Sequence, residues 1–205
     1  ARSKDLLENT LSILSKKQPG QDHDYLMADY EDQSDMHKKI NLLTSGKNYQ
    51  ILINNTGGPP AGPMIDFSLE KIEHNFRKLF LINHDLVQLL VPGMKESNYG
   101  RIINITSTSV KEPLNDLGLS NSLRAAVSNW AKTLANELGR FNITVNNVLP
   151  GYTSTERLNE LFSFRAKNLN VDQSILEDKA MEDIPMKRFG LPEEIAAAVA
   201  LDRKS

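Results

Sequence analysis

The feature that most constrains the fold is a pair of short, almost continuous apolar runs. Gln50–Asn54 reads QILIN and Arg101–Ile105 reads RIINI, without the polar alternation of a half-exposed strand. Such runs are typical of strands covered on both faces, as in a parallel sheet. Two further segments, Asp24–Ala28 and Thr144–Leu149, are candidate strands of the same sheet.

Helical patterns fill the intervals between these runs. The predicted helices are Lys4–Ser15, a helix capped by Ser34 and ended by Gly46, a long helix from the cap Ser68 to a stop at Pro92, Ser120–Leu138 followed by Gly139 as C-cap, and a helix that begins at Pro192. This alternation predicts an α/β fold, a doubly wound parallel sheet of the Rossmann type, in one domain over residues 1–205. Residues at about 155–186 are polar and break the rhythm, and we interpret them as a helical lobe over the carboxyl edge of the sheet, where such folds bind ligands.

Composition excludes several classes of function. The net charge of −2 gives no strong field to attract nucleic acid or a membrane surface. No apolar run approaches the roughly 20 residues that a membrane span needs. The chain has no cysteine, so it has neither disulfides nor thiolate metal ligands, which fits a reducing, cytoplasmic location. Its four histidines are scattered without ligand spacing, so we expect no metal site.

Four motifs occur in order along almost the whole chain. They are Asn54-Asn55-Thr56-Gly57 after a strand, the strand Gly100–Ile105 that leads to Ser107, Pro150-Gly151 followed by Thr155, and the segment from Ile184-Pro185 through Arg188 to Pro192 and Glu193. Together they resemble the short-chain dehydrogenase/reductase family, in particular its 3-oxoacyl-acyl-carrier-protein reductase-like members. The resemblance implies an NAD(P)-dependent oxidoreductase that acts on a small-molecule carbonyl or alcohol, such as a 3-oxoacyl thioester, and forms a homo-oligomer (a dimer or tetramer).

The resemblance also assigns candidate cofactor residues. They include Asn55, Gly57, Pro150, Gly151, Thr153 and Thr155, and the Pro150-Gly151 turn and Thr155 would face the nicotinamide. Asp29 would meet the adenine, although a solvated acidic turn is the competing interpretation. Arg2 would pair with a 2′-phosphate, which favours NADP and leaves NAD as the alternative. Thr155 can equally be a helix N-cap, and Asn54 can bridge neighbouring strands through its amide. The Gly-x-Gly-x-x-Gly fingerprint is absent, so we expect a first strand–helix–strand segment and a last strand outside this sequence.

The sequence departs from the family at its catalytic positions. Ser107 matches the catalytic serine, but Ser120 stands thirteen residues on, where the tyrosine belongs, and Arg124 stands in the place of the lysine. Leu79 occupies the position of the family's helical asparagine. A phenol has a pKa of about 10, within reach of tuning, whereas an alkyl alcohol is a poor general acid and Arg124 stays protonated.

Two tyrosines could stand in for the missing one. Tyr99 and Tyr152 are near in sequence, but neither has the family's spacing, and Tyr152 is better interpreted as a packing aromatic. Three functions remain open. The first is a reductase with an atypical proton relay through Ser107, Ser120 and Arg124. The second is a non-catalytic nucleotide-binding or scaffold protein, and the third is a lyase or isomerase in which Arg124 holds an anionic substrate.

Overall fold

A three-stranded parallel sheet forms the centre of the molecule. The structure is a computed structural model that describes residues 3–14, 21–29 and 32–202. Strands β1 (Ile51–Asn54), β2 (Gly100–Ile105) and β3 (Ile143–Val148) lie in that order, with Leu52 opposite Ile102 and Ile102 opposite Val145. The predicted parallel strands are therefore confirmed at these three positions.

The prediction of a strand at Asp24–Ala28 is wrong. Residues 21–29 adopt no regular secondary structure, and the described sheet ends at β1. The apolar side chains of the segment are nevertheless used, because Ala28 is buried in a cluster with Met36 and Ile40. Burial alone does not make a strand, since a strand also needs a neighbour that pairs with its backbone.

Eight α-helices surround the sheet in the described part of the chain. They are α1 (Lys4–Ile13), α2 (Gln33–Thr44), α3 (Leu69–Phe76), α4 (Ile82–Glu96), α5 (Gly118–Leu138), α6 (Glu156–Leu169), α7 (Gln173–Glu182) and α8 (Pro192–Asp202). The cap at Ser68 is confirmed, because its hydroxyl accepts the N–H of Lys71 at 3.3 Å. The cap predicted at Ser34 is wrong: Asp32 performs it, accepting the N–H of Asp35 at 2.9 Å.

The long helix predicted from Ser68 to Pro92 differs in two respects. One π-helical turn, Arg77–Leu81, separates α3 from α4, and the Asn83 side chain donates to the carbonyl of Leu79 at 2.9 Å just beyond it. Pro92 does not stop the helix, which runs on to Glu96. Both Pro92 and Gln88, whose carbonyl loses its usual donor, are exposed, so water can replace the missing hydrogen bond.

Helices lie on both faces of the sheet, as a doubly wound fold requires. On one face α4 and α5 bury an apolar cluster that includes Leu52, Ile102 and Val145. On the other face α8 packs against β2 and β3, and the amide of Asn146 donates to Asp202 at 2.7 Å. The predicted fold class is therefore confirmed.

Backbone pairing between loops brings the functional segments together. The loop after β1 bonds to the start of α5, with the N–H of Gly62 donating to Asp116 at 2.7 Å and the N–H of Gly118 donating to Gly62 at 3.2 Å. Thr153 pairs with Gly190 in the same way, which ties the loop after β3 to the segment before α8. Helices α6 and α7 follow this loop within the region predicted to be helical.

Candidate functional site

A cavity of about 370 Å³ lies at the carboxyl ends of β2 and β3. Its lining comes from the loops after all three strands, from α5, from α6 and from the first turns of α8. Eight of the site residues predicted from the sequence line it together: Asn55, Ser107, Ser120, Arg124, Pro150, Gly151, Thr153 and Thr155. The carboxyl edge of a parallel sheet is where α/β folds bind ligands, so this cavity is the candidate functional site.

Arg124 is anchored at the floor of the cavity. Its Nη1 donates to the carbonyl oxygens of Ile105 at 2.8 Å and Thr106 at 3.0 Å, where β2 ends. Its Nε donates to the hydroxyl of Ser120, one helical turn earlier, at 3.3 Å. Burial, and then the positive charge of Arg157, lower the pKa of Arg124 from its ordinary value. Ser120 and Arg124 therefore form one fixed hydroxyl–guanidinium pair.

Ser107 occupies the turn that follows β2. Its hydroxyl oxygen accepts the N–H of Ser109 at 3.1 Å and caps a short 3₁₀ turn, Thr108–Val110. The hydroxyl proton has no acceptor within the described residues, so it is available to a ligand in the cavity. The N–H of Thr108 donates to the carbonyl of Pro150 at 3.1 Å, which holds the loops after β2 and β3 side by side.

Thr155 is the N-cap of α6, which was one of the two roles predicted for it. Its hydroxyl caps α6 by accepting the N–H of Leu158 at 3.3 Å, and it donates to the carbonyl of Thr153 at 3.2 Å. Both threonines face the cavity. The cap therefore fixes the positions of Thr153 and Thr155 at the cavity, and both remain open to contact with a ligand.

A chain of buried amides crosses the sheet beneath the cavity. Asn54 donates to Asn104 at 2.8 Å, Asn104 donates to Asn147 at 3.2 Å, and Asn147 reaches the carbonyl and hydroxyl of Ser128 on α5, each at 3.3 Å. The predicted bridging by Asn54 is confirmed. Because these hydrogen bonds link the ends of all three strands, they hold the strands in register.

Two predicted cofactor residues do not line the cavity, and a third lies outside the described residues. Gly57 lies beside it on the exposed loop after β1, next to the lining residue Gly58. Asp29 lies on the segment before α2 and not among the lining residues. Arg2 lies outside the described residues.

The tyrosines and Leu79 take packing positions. Tyr152 lines the cavity but also packs against Phe162 and Phe189, with ring centroids 5.8 Å and 6.0 Å away, so its interpretation as a packing aromatic is confirmed. Tyr99 stacks on the guanidinium of Arg101 at 4.2 Å, outside the cavity lining. Leu79 is buried in an apolar cluster with Leu119 and Leu123.

Sequence reasoning missed Arg157, the second residue of α6. It lines the cavity, and its Nη2 donates to the carbonyl of Pro59 in the loop after β1. Its one sequence signal was a basic residue two positions after Thr155, which is too common to select.

Other classes of site find no support in the described part of the chain. It contains no group of three or more His, Cys, Asp or Glu side chains that could hold a metal ion. Within it, no helix is both long enough and apolar enough to cross a membrane.

Comparison with known proteins identifies the family. The family model for short chain dehydrogenases matches residues 1–166. The NADPH-dependent reductase BacG of Bacillus subtilis (strain 168) is 29% identical over 173 residues, covering 82% of this chain and 67% of the relative. The uncharacterized oxidoreductase YohF of Escherichia coli (strain K12) is 32% identical over 154 residues, 73% of this chain, and the chain spans only 55% of that relative's length.

Solved structures agree with this match. The crystal structure of YwfH, an NADPH-dependent reductase involved in bacilysin biosynthesis, superposes with a TM-score of 0.89 at 28% identity, over 98% of this chain and 78% of that one. L-Sorbose reductase from Gluconobacter frateurii, complexed with NADPH and L-sorbose, gives a TM-score of 0.84 at 26% identity, over 97% and 76% of the two chains. With the parallel sheet, the cavity at its carboxyl edge and the family model matching most of its length, the chain belongs to the short chain dehydrogenase family.

Proposed function

We propose that the protein is an NADPH-dependent reductase of a small-molecule carbonyl group, with an atypical proton relay. The observation that carries the proposal is the convergence of Ser107, Ser120 and Arg124 on one cavity, with Arg124 bonded to Ser120 at 3.3 Å. These residues bring two hydroxyl groups and a positive charge to one small volume. That set can polarise a carbonyl group and stabilise the negative charge that develops on its oxygen.

The loops after the strands fit a dinucleotide. A Cβ on Gly57 would meet nothing within 4 Å, and one on Gly151 would meet only a methyl group of Thr108 at 3.9 Å, so both backbones are open to close approach. We assign Asn55, Gly57, Pro150, Gly151, Thr153 and Thr155 to the nicotinamide end, Asp29 to the adenine and Arg2 to the 2′-phosphate. The NADPH-dependent relatives favour NADP over NAD. The bound cofactor supplies a hydride.

The side chains of the cavity handle the oxygen of the substrate. Ser107 and Ser120 donate hydrogen bonds to the carbonyl oxygen, and the fixed charge of Arg124 stabilises the oxygen as it becomes negative. The carbonyl carbon accepts the hydride and the oxygen accepts a proton, which gives an alcohol and the oxidised dinucleotide. Arg124 keeps its own protons. Ser120 passes its hydroxyl proton to the oxygen and regains one from water, a step favoured by the adjacent positive charge.

A test of this proposal follows the oxidation of NADPH with a panel of ketones, oxo acids and 3-oxoacyl thioesters. Ser107→Ala and Ser120→Ala are each expected to lower kcat about 100- to 1,000-fold, as loss of one oxyanion donor does in other enzymes. Ser122→Ala is the matched control, because Ser122 is exposed on the same helix and, among the described residues, its hydroxyl bonds only to the carbonyl of Gly118. A wild-type rate in Ser107→Ala would contradict the assignment.

The alternative is a nucleotide-binding or scaffold protein without catalysis. The burial of Leu79 among apolar side chains favours it, because this position offers no polar group to a proton relay. Saturable binding of NADPH without turnover of any substrate in the panel would support it. The homo-oligomer and the cytoplasmic location stay predictions, and sedimentation velocity measures the first of them.

A further inference from the structure

Arg157 brings a second guanidinium to the cavity from a different element. It projects from the first turn of α6 towards the loop after β1, where its Nη2 donates to Pro59. Its Nη1 pairs with Glu160 at 3.2 Å, and both of these side chains are about half exposed (42% and 59%). An ion pair open to solvent neutralises little of the charge that Arg157 presents to the cavity.

Arg124 and Arg157 meet at Gly58. A Cβ built on this glycine would lie 3.7 Å from Nη2 of Arg124 and 3.4 Å from Nε of Arg157. The two cations are close enough for the charge of Arg157 to lower the pKa of Arg124. Two like charges held near each other repel unless an anion lies between or beside them.

Within the described part of the chain, Glu160 pairs with Arg157 but no acidic side chain lines the cavity itself. Of the described residues that line it, two are arginines and none carries a carboxylate. Arg124 forms no ion pair within the described part of the chain. Its Nη1 is occupied by backbone carbonyls and its Nε by Ser120, while Nη2, on the same edge as Nε, makes no hydrogen bond to any described residue.

We propose that Arg124 and Arg157 form an oxyanion site, and that it binds the carboxylate of a 2-oxo acid with an apolar side chain. In such a substrate the carbonyl group is adjacent to the carboxylate. Ser120, which would bind the carbonyl oxygen, is likewise adjacent to Nη2 of Arg124, which would bind the carboxylate. The carboxylate would accept charge-assisted hydrogen bonds from Nη2 of Arg124 and from Nε of Arg157, the two donors that face Gly58. Leucine and isoleucine side chains from the loop before α5, from α6 and from α8 line the rest of the cavity and would contact the apolar part: Leu114, Leu117, Leu158, Leu161 and Ile195.

This inference rests on the proposed function, since it names the substrate class of the same site. The carbonyl carbon of the 2-oxo acid accepts a hydride from the reduced dinucleotide and its oxygen accepts a proton. The products are the 2-hydroxy acid and the oxidised dinucleotide. The carboxylate keeps its charge throughout, so Arg157 binds it equally before and after the reaction and chiefly affects KM.

The test compares 4-methyl-2-oxopentanoate with its methyl ester, which keeps the carbon chain and the 2-oxo group but replaces the charged oxygen with a neutral methoxy group. Each is titrated calorimetrically into the protein saturated with NADP⁺, so that binding is measured without turnover. The acid is expected to bind more tightly than the ester. Arg157→Gln is expected to weaken the acid about 10- to 100-fold and leave the ester unchanged, because one charge-assisted hydrogen bond is lost. Arg157→Lys, which keeps the charge, is expected to fall between the two.

Arg165→Gln is the matched control. Arg165 lies on the same helix, pairs with Asp116 at 3.5 Å and does not line the cavity, so this change removes the same charge without altering the site. Equal affinity of the wild-type protein for acid and ester, or undetectable binding of the acid, would overturn the inference. The inference would also be overturned if Arg157→Gln weakened the binding of the acid and of the ester to the same extent.

A phosphate of the dinucleotide is the other source of an oxyanion. If Arg157→Gln weakens NADPH binding and spares the acid, the site belongs to the cofactor and the inference fails. Selective acid binding without NADPH-dependent reduction would leave the oxyanion site standing and remove the proposed function. Reduction of neutral ketones without selective binding of the acid would support the proposed function and remove the oxyanion site.

Discussion

At the scale of single residues, the Ser120–Arg124 pair could be predicted from the sequence and Arg157 could not. Residues four apart on a helix share one face, so a contact between Ser120 and Arg124 follows from their spacing. Arg157 enters the cavity from a helix of the lobe, and its direction depends on how the lobe packs over the sheet. No local pattern contains that information.

An ion pair outside the cavity, between Arg188 and Glu194, is expected to make the stability of the fold depend on pH. Arg188 holds Glu194 through two hydrogen bonds, at 2.9 Å and 2.7 Å, and the N–H of Leu191 donates to the same carboxylate at 2.7 Å. These contacts, those of Arg188 first, lower the pKa of Glu194 from 4.5 to about 2. They fix the segment before α8, which also pairs with the loop after β3.

We expect Glu194→Gln to reduce the free energy of unfolding at pH 7. A carboxylate whose pKa is lowered in the folded state contributes stability above its unfolded pKa and loses it as the pH falls. The difference between wild type and Glu194→Gln should therefore be full above pH 4.5 and shrink from pH 4.5 towards pH 2. Urea denaturation at pH 7 and pH 3.5 measures it.

Glu193→Gln is the control for this effect. Glu193 is an exposed neighbour in the same helical turn whose carboxylate makes no hydrogen bond or ion pair to the described residues, so its replacement removes the same charge without the contacts. A difference between wild type and Glu194→Gln that is as large at pH 3.5 as at pH 7 would contradict the role given to the ion pair.

At the scale of elements, regular patterns predicted most helices and strands, and the failures have local causes. Pro92 was expected to end a helix, but its side chain lies on the exposed surface, where water replaces the lost hydrogen bond. The π-helical turn Arg77–Leu81 could not be predicted, because apolar residues continue at helical spacing both before and after it. Asp24–Ala28 has the composition of a strand but pairs with none of the described strands.

The junction between the loop after β1 and α5 depends on the absence of a side chain at Gly118. A Cβ at this position would lie 2.5 Å from the backbone nitrogen of Met64, which cannot move aside cheaply. We expect Gly118→Ala to lower the free energy of unfolding by about 1–3 kcal/mol, as overpacking does. It should also lower activity, because Ser120 follows two residues later. Urea denaturation and the NADPH assay measure the two effects.

Gly139→Ala is the comparison for this prediction. Gly139 ends α5 with a φ of −54°, and a Cβ there would meet nothing within 4 Å. Its replacement should be neutral or stabilising by roughly 0.4–1 kcal/mol, because alanine restricts the unfolded chain. Equal destabilisation by both substitutions would show that the close contact at Gly118 is not the cause.

At the scale of the whole molecule, the parallel sheet and the position of its site were both predictable. Buried apolar runs separated by helices leave few topologies, and the carboxyl ends of parallel strands gather their loops at one edge. Ser107 after β2 and Pro150 after β3 meet there for that reason. The lobe of α6 and α7 was predictable as helices but not in its contacts, since its sequence has no strong periodic constraint.

We propose that this family member transfers a hydride to a carbonyl carbon without the tyrosine–lysine pair. The most direct test incubates the full-length protein with NADPH deuterated at C4, on one face in each of two experiments. The substrates are 4-methyl-2-oxopentanoate and a neutral ketone of similar size, and the products are analysed by mass spectrometry. The account predicts an alcohol that carries one deuterium from one of the two labelled cofactors. Binding of NADPH without any deuterated product from the substrate panel would contradict it.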